Sequence, residues 1–316
     1  MNGIINILKP PGLTSHDVVS FLRRQLKIKR IGHTGTLDPQ AAGVLPVCIG
    51  QATRLADFLS AKDKEYMCRM RLGIKTTTQD AWGEVIESKD TSLMQRELLE
   101  KSLTNLRGCI KQKVPEYSAV KVAGEPMYKK ARRGESIEAI IREIYIYKLD
   151  LLEYLNNEVA LHIHCSKGTY IRTLCSDLGD MLGVGGHMSF LVRTRVGSFK
   201  LQDSYTLEEV AERKEGFLLP VSKCIEGMPS LKVKQDDVAL LKHGRSIEIL
   251  PEYDVQIGTE KKTIDNGLSD KQMVAIIDED NNLHALAVIA EEFGRSIIKP
   301  KKVFNMETDY ANSIKH

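Results

Sequence analysis

No stretch of this 316-residue chain comes near the roughly 18 uncharged apolar residues that a membrane-spanning helix needs. The start, MNGIINILKPPG, lacks the charged head and long apolar run of a secretory leader, so a cytoplasmic protein is expected. Cysteine is sparse: the six thiols at 48, 68, 109, 165, 175 and 224 form no C-x-x-C pair. They read as reduced core thiols rather than a disulfide framework or a zinc ribbon. No glycine loop has Walker spacing, which argues against a bound nucleoside triphosphate. Charge of one sign is also lacking, since 45 Lys and Arg against 42 Asp and Glu leave only +3. Any nucleic-acid surface must therefore arise from local clustering. What is present is ample apolar material, 42% against 28% charged, enough to build the cores of about two domains.

Periodicity divides the chain. After Gly12, Thr14 or Ser15 can cap a helix in which Val18, Leu22 and Leu26 recur, with Arg23, Arg24, Lys27, Lys29 and Arg30 on its other faces and at its exit. Tyr66 to Leu72 alternates as a half-buried strand, with Glu84 to Ile86 expected to pair with it. Ser92 to Leu106 and Thr169 to Leu182 are helical, each closed by a glycine. Asn156-Asn157 splits the alternating runs 144–154 and 158–165 into a hairpin. The first two-thirds therefore reads as α+β rather than regular βαβ alternation. Beyond a boundary near Pro229-Ser230, a short helix at 236–243 and strands at 273–277 and 283–289 predict a small, mostly β appendage.

Three segments can carry chemistry. GHTGTLDP at 32–39 sits between the basic helix exit and the apolar run 44–49, with Asp38 held extended before Pro39. A turn is the ordinary reading of Asp-Pro, but a loop this dense in Gly, Thr and His is how a rigid scaffold presents a side chain. SKGTYIR at 166–172 places Lys167 and Arg172 around a glycine turn, suited either to an anion or to an ordinary surface arginine. In 112–134, Lys121, Lys129, Lys130, Arg132 and Arg133 are interleaved with Tyr117 and Tyr128, the composition of a single-stranded nucleic-acid surface or of a solvated loop. Two other patterns fail. Adjacent Ser15-His16-Asp17 cannot align as a triad. In HIHC at 162–165, both histidines share one strand face while Cys165 points to the other, so no metal site is expected.

Taken together, NILKPPGLTSHDVV (6–19), GHTGTLDPQAAGVLPVCIGQATRL (32–55), KEYMCRMRLGIKTTTQDAWG (64–83), YSAVKVAGEPMYKKAR (117–132) and KGTYIRTLCSDLGDMLGVGGHMSFLVRTRVGSF (167–199) closely resemble the TruB family of tRNA pseudouridine synthases. The resemblance implies the α+β pseudouridine synthase fold, with a mixed β-sheet and central cleft, over residues 1–229. It also implies an RNA-gripping insertion at 117–133 and a PUA-like RNA-binding domain at 230–304, leaving 305–316 as a flexible tail. Three departures stand out: Val114-Pro115 where two prolines are usual, Thr77 for a common aspartate, and Gly186 for an alanine.

The implied reaction is isomerisation of uridine 55, in the T-loop of tRNA, by a monomer without cofactor, metal, guide RNA or protein partner. Asp38 matches the family's catalytic aspartate, Arg172 the arginine that pairs with it, and Tyr66 the tyrosine that stacks on the extruded uracil. His33 resembles the residue filling the vacated space and Leu191 a pocket wall, while Lys9 and Pro10 match a segment supporting the catalytic loop. Lys129, Lys130, Arg132 and Arg133 would grip the T-arm. Two other readings compete, a non-catalytic tRNA-binding factor and a guide-dependent synthase.

Overall fold

The computed structural model describes residues 1–213, 216–249, 253, 255–257, 260–262, 273–292 and 295–304. The tail expected to be flexible, 305–316, lies outside the described residues. The chain opens with β1 (Gly3–Lys9), α1 (Ser15–Leu26), β2 (Ile31–His33), β3 (Ala42–Ile49), α2 (Ala56–Ser60), β4 (Lys64–Leu72), β5 (Ile74–Thr76) and β6 (Val85–Ser88). Next come α3 (Arg96–Asn105), β7 (Gly108–Lys113), β8 (Lys121–Val122), β9 (Glu125–Pro126) and α4 (Met127–Arg132). β10 (Ile141–Leu155), β11 (Glu158–Cys165), α5 (Ile171–Met181), β12 (Gly186–Val196), β13 (Phe199–Lys200) and α6 (Leu207–Glu212) follow.

These strands form one mixed sheet in the order β1-β3-β12-β4-β11-β10-β7. All neighbours run antiparallel except β12 and β3, which are parallel where Val192 and Arg193 meet Ala42 and Gly43. In β4, Lys64, Tyr66, Cys68, Met70 and Leu72 are buried while the intervening residues face outward, the period-two pattern of a strand packed on one face. Glu84 to Ile86 does not pair with this strand. Those residues lead into β6, which closes a separate hairpin with β5, whereas β11 and β12 flank β4. Expected pairing by sequence proximity was overridden by longer strands that bury more of β4. The β10–β11 turn is as read: Asn156 and Asn157 adopt φ of 49° and 70°, the left-handed pair that asparagine tolerates in a tight hairpin. Helix α3 starts only at Arg96, because Thr91 to Met94 form a turn closed by Met94 N–H to Thr91 O at 2.9 Å.

Helices α3 and α5 bury their apolar stripes on the inner sheet face. Leu99 and Leu103 of α3 join Ile171, Leu174 and Leu178 of α5 against Met70, Leu149, Leu161 and Ile163. Each such side chain contributes about 1.5–3 kcal/mol by leaving water. Helix α1 is capped by Thr14, whose Oγ1 accepts from Asp17 N–H at 3.0 Å while Asp17 accepts from Thr14 N–H at 2.8 Å. It packs Val18, Val19 and Leu22 on the first strands.

A second sheet begins at β14 (Ser230–Lys232). It continues through α7 (Gln235–Lys242), β15 (Ile247–Glu248), β16 (Val255–Ile257), β17 (Glu260–Lys262), β18 (Met273–Ile277), β19 (Leu283–Glu292) and β20 (Arg295–Val303). Its strand order is β15-β20-β19-β18-β14-β16-β17. Ala275, Ile277, Leu283, Leu286 and Phe304 share one cluster with Ile4, Val44, Cys48 and Phe199, so an apolar seam joins it to the first sheet.

Helix α5 must approach the turn into β12 closely, and Gly179 permits it. A Cβ there would lie 2.2 Å from the backbone nitrogen of Gly186. Helix propensity alone would make Gly179→Ala stabilising by about 1 kcal/mol. The backbone clash is expected to reverse the sign, giving net destabilisation of about 1–3 kcal/mol in urea unfolding. A stabilised variant would contradict the close approach.

Candidate active site

The loop between β2 and β3 carries Asp38 at the mouth of a cleft of about 380 Å³. Its other walls come from Tyr66 and Lys64 on β4, Arg172 on α5, Leu191 and Arg193 on β12, and residues 117–120. The loop is fixed from three directions. Ser15, at the start of α1, accepts from Leu37 N–H at 2.9 Å and returns its hydroxyl to Leu37 O at 3.1 Å. Beneath, the fully buried Lys9 ammonium donates to Pro10 O, Leu13 O and Pro39 O at 2.8, 2.7 and 3.0 Å. Burial, opposed by Asp38, holds that lysine down at about 8. From β12, the Arg193 guanidinium donates to Val44 O, Thr36 O and Gly35 O at 2.7, 3.3 and 3.2 Å. Asp38 is thus flanked on both sides by residues whose backbone is held.

Arg172 reaches this aspartate from the far side of the sequence. Its side chain is 7% exposed and its Nε lies 2.9 Å from Asp38 Oδ2. The Nε–H does not aim at that oxygen, so the contact is an ion pair; the longer Nη2–Oδ1 hydrogen bond, 3.4 Å, carries the alignment. The guanidinium also donates to Thr78 O at 3.2 Å and Tyr117 O at 3.0 Å. Asp80 Oδ2 stands 3.7 Å away, a second carboxylate behind the arginine. Asp80 is itself held by the Thr78 hydroxyl at 2.6 Å and Trp82 N–H at 3.1 Å.

Tyr66 is buried within the cleft. Desolvation pushes its phenol up to about 12, with the neighbouring Arg193 guanidinium pulling the other way, so it is neutral at rest. His33, on β2, is not part of the cleft wall; its Nδ1 accepts from Gly35 N–H at 3.3 Å, and burial favours the neutral ring.

The basic insertion folds as the β8–β9 hairpin and helix α4, seated on the cleft by Tyr117. Its cations differ. Arg133 is held bidentately by Glu125, both contacts at 2.8 Å, and again by Glu135 at 2.6 Å, so its charge is largely matched internally. Arg132 rests over the Tyr128 ring at 5.7 Å, and Lys129 is exposed. His162 and His164 share an outward face as expected, beside Glu65 at 3.5 Å and Asp63 at 2.5 Å. Among the described residues no group of three or more His, Cys, Asp or Glu is placed to hold a metal.

The sequence brought Asp38, Tyr66, Arg172 and Leu191 to attention, and the structure assembles all four in one cleft. It missed Asp80, Arg193, Lys64 and the clamp made by Ser15. Arg193 had a usable signal: strand alternation from Leu191 turns it inward, and a charge at an inward position needs a reason.

The family model for the N-terminal domain of TruB family pseudouridylate synthases matches residues 23–171, and that for the tRNA pseudouridylate synthase B C-terminal domain matches 172–225. The tRNA pseudouridine synthase B of Symbiobacterium thermophilum is 47% identical over 247 residues, covering 77% of this chain and 82% of that one. That of Clostridioides difficile is 38% identical over 312 residues, covering 96% and 100%. Among solved structures, a chain of an H/ACA RNP bound to a substrate RNA containing 2'-deoxyuridine superposes with TM-score 0.74 at 27% identity, covering 96% of this chain and 85% of that one. A chain of a Cbf5-Nop10-Gar1 complex gives TM-score 0.74 at 29% identity, with the same coverage.

The mixed sheet with its central cleft is that of a pseudouridylate synthase, an isomerase. Within that class the chain belongs to the TruB family, whose relatives here are tRNA pseudouridine synthases. No helix among the described residues is long and apolar enough to cross a membrane.

Ser15→Ala removes both bonds to Leu37 and leaves a buried N–H unsatisfied. Stability should fall by about 1–3 kcal/mol. If the clamp serves Asp38, kcat should fall about tenfold with KM little changed, as expected for a misplaced reacting group. Unchanged kcat in a destabilised variant would show that the clamp is purely structural.

Proposed function

We propose that the protein converts uridine 55, in the T-loop of tRNA, to pseudouridine, with Asp38 as the catalytic carboxylate and without a guide RNA or protein partner. The observation that carries this reading is that Asp38 is the sole acid among the described residues that line the cleft, backed by the buried Arg172 and facing Tyr66.

The chemistry suits these groups. The N1–C1′ bond breaks, the uracil turns, a C5–C1′ bond forms, C5 loses a proton and N1 gains one. Substrate and product have the same composition, so no oxidant, donor or cofactor is required. A carboxylate acts as nucleophile through its anionic oxygens, and the Arg172 guanidinium 2.9 Å away supplies the matching charge. Tyr66 offers its ring as the platform for an everted uracil, worth about 1–3 kcal/mol per stacked base. Its hydroxyl gives its proton to N1, directly or through a water it positions, and the resulting phenolate takes the C5 proton; Arg193 alongside would steady that phenolate. Reaching this cleft requires the uridine to leave its stack. Leu191 supplies an apolar wall, while Lys9 and Pro10 support the loop and His33 stands ready to fill the place vacated in the RNA.

Guide independence is supported by the insertion, which builds its own hairpin and helix beside the cleft. Lys129, Lys130 and Arg132 are its phosphate-contacting candidates, with Arg133 reassigned to holding the segment together through Glu125 and Glu135. We assign residues 1–229 to the catalytic domain and 230–304 to a PUA-like RNA-binding domain, in a monomeric enzyme needing no metal.

Three outcomes test this. Purified protein and an unmodified tRNA transcript alone should yield pseudouridine at position 55 by nucleotide-resolution mapping; a requirement for an added guide would refute the stand-alone reading. Asp38→Asn should bind tRNA normally yet lose at least about a hundredfold in kcat, and greater residual activity would rule out an essential carboxylate. Tyr66→Phe keeps the platform but not the hydroxyl, so affinity should hold while kcat drops about a hundredfold or more. Retained kcat would remove the hydroxyl from the mechanism.

A further inference from the structure

Three buried cations surround the cleft without matching acids. Lys9, Lys64 and Arg193 are all below 9% exposed, and among the described residues none has a carboxylate within ion-pair distance. Lys9 and Arg193 direct their donors at carbonyls of the catalytic loop and its flanks. Lys64 is different because it lines the cleft itself. Its ammonium donates to Ser60 O and Lys62 O, both at 2.6 Å, which leaves one N–H without a partner among the described residues. The adjacent acid, Asp63, is already engaged by Arg195 at 2.6 Å and by His164.

Position along β4 gives this lone cation a meaning. Lys64 and Tyr66 are two residues apart and share the inner face, so they are separated by about 6.6 Å along the strand. A nucleotide whose base lies on the Tyr66 ring carries its phosphates one ribose away, a comparable distance. At the same end of the cleft the exposed Lys167 adds a second positive charge to the field at Lys64. Next to it, Gly168 lines the cleft at φ 81° with nothing within 4 Å of a built Cβ, so there is open room for a sugar–phosphate backbone. Burial and the nearby Arg193 hold the Lys64 ammonium down at about 8, and an arriving anion would relieve that cost.

We propose that Lys64, with Lys167 beside it, binds a phosphodiester flanking the everted nucleotide, the RNA supplying the counter-ion that the protein lacks. This rests on the Asp38–Tyr66 cleft being where the target uridine enters. It makes Lys64 a substrate-binding residue, distinct from the basic insertion, that registers the nucleotide against Asp38.

The test pairs one protein change with one RNA change. T-arm RNA is prepared with a neutral methylphosphonate replacing the phosphodiester on the 5′ side or the 3′ side of the target uridine. Wild type and Lys64→Met are then compared on these and on natural RNA. Loss of a charge-assisted contact should lower kcat/KM at least about tenfold for Lys64→Met on natural RNA. Wild type should suffer a similar loss on one of the two methylphosphonate RNAs, and the variant should lose nothing further on that RNA. Additive losses on both RNAs, or no loss in either singly altered pair, would overturn the assignment. A structural defect at Ser60 and Lys62 would slow every RNA alike and so appear as additivity. Failure of wild type to convert even natural RNA would count instead against the function proposed above.

Discussion

One charge pair organises this molecule. Arg172 is buried on a helix in the second half of the sequence, and its guanidinium meets Asp38 from a loop 134 residues earlier. A buried guanidinium is costly unless it is paired, and here the loop carboxylate offsets its charge while the carbonyls of Thr78 and Tyr117 accept from its terminal nitrogens. The same contacts gather the 32–39 loop, the β5–β6 hairpin and the insertion around one point. Pairing the acid and drawing these segments together are therefore done by one side chain.

The surroundings follow from what that pair needs. Asp38 is half-exposed, so it can meet a substrate, yet Ser15, Lys9 and Arg193 fix the backbone on either side of it. The parallel junction of β12 with β3 sets Arg193 O against Gly43, where a Cβ would come within 2.2 Å, so only glycine allows this approach. Burying three unmatched cations near the cleft opposes folding. Its counterpart is a pocket already positive before a polyanion arrives, in a chain whose overall charge is nearly zero.

Much of this was legible in the sequence because local rules decide it. Thr14 capping α1, the Asn156-Asn157 turn and the alternation of β4 all depend on neighbours within a few residues. The loop 32–39 declared itself through its density of residues that cannot continue a helix or central strand. Long-range partners were not legible. Strand β4 lies between β11 and β12, some 90 and more residues onward, rather than beside the nearby Glu84 to Ile86. Nothing near Asp80 in sequence announces that it stands behind Arg172, and nothing near Arg133 distinguishes it from Arg132 until Glu125 and Glu135 are seen around it. Composition located the basic insertion; only folding separated the charge that Glu125 and Glu135 hold from the others.

The most direct test of the central claim is an experimental structure of the Asp38→Asn protein bound to a T-arm RNA. The account predicts the target uridine out of its stack, its ring against Tyr66 and its sugar–base bond beside residue 38, with Arg172 still behind that residue. A uridine left stacked in the RNA, or seated away from residue 38 against another acid, would contradict it.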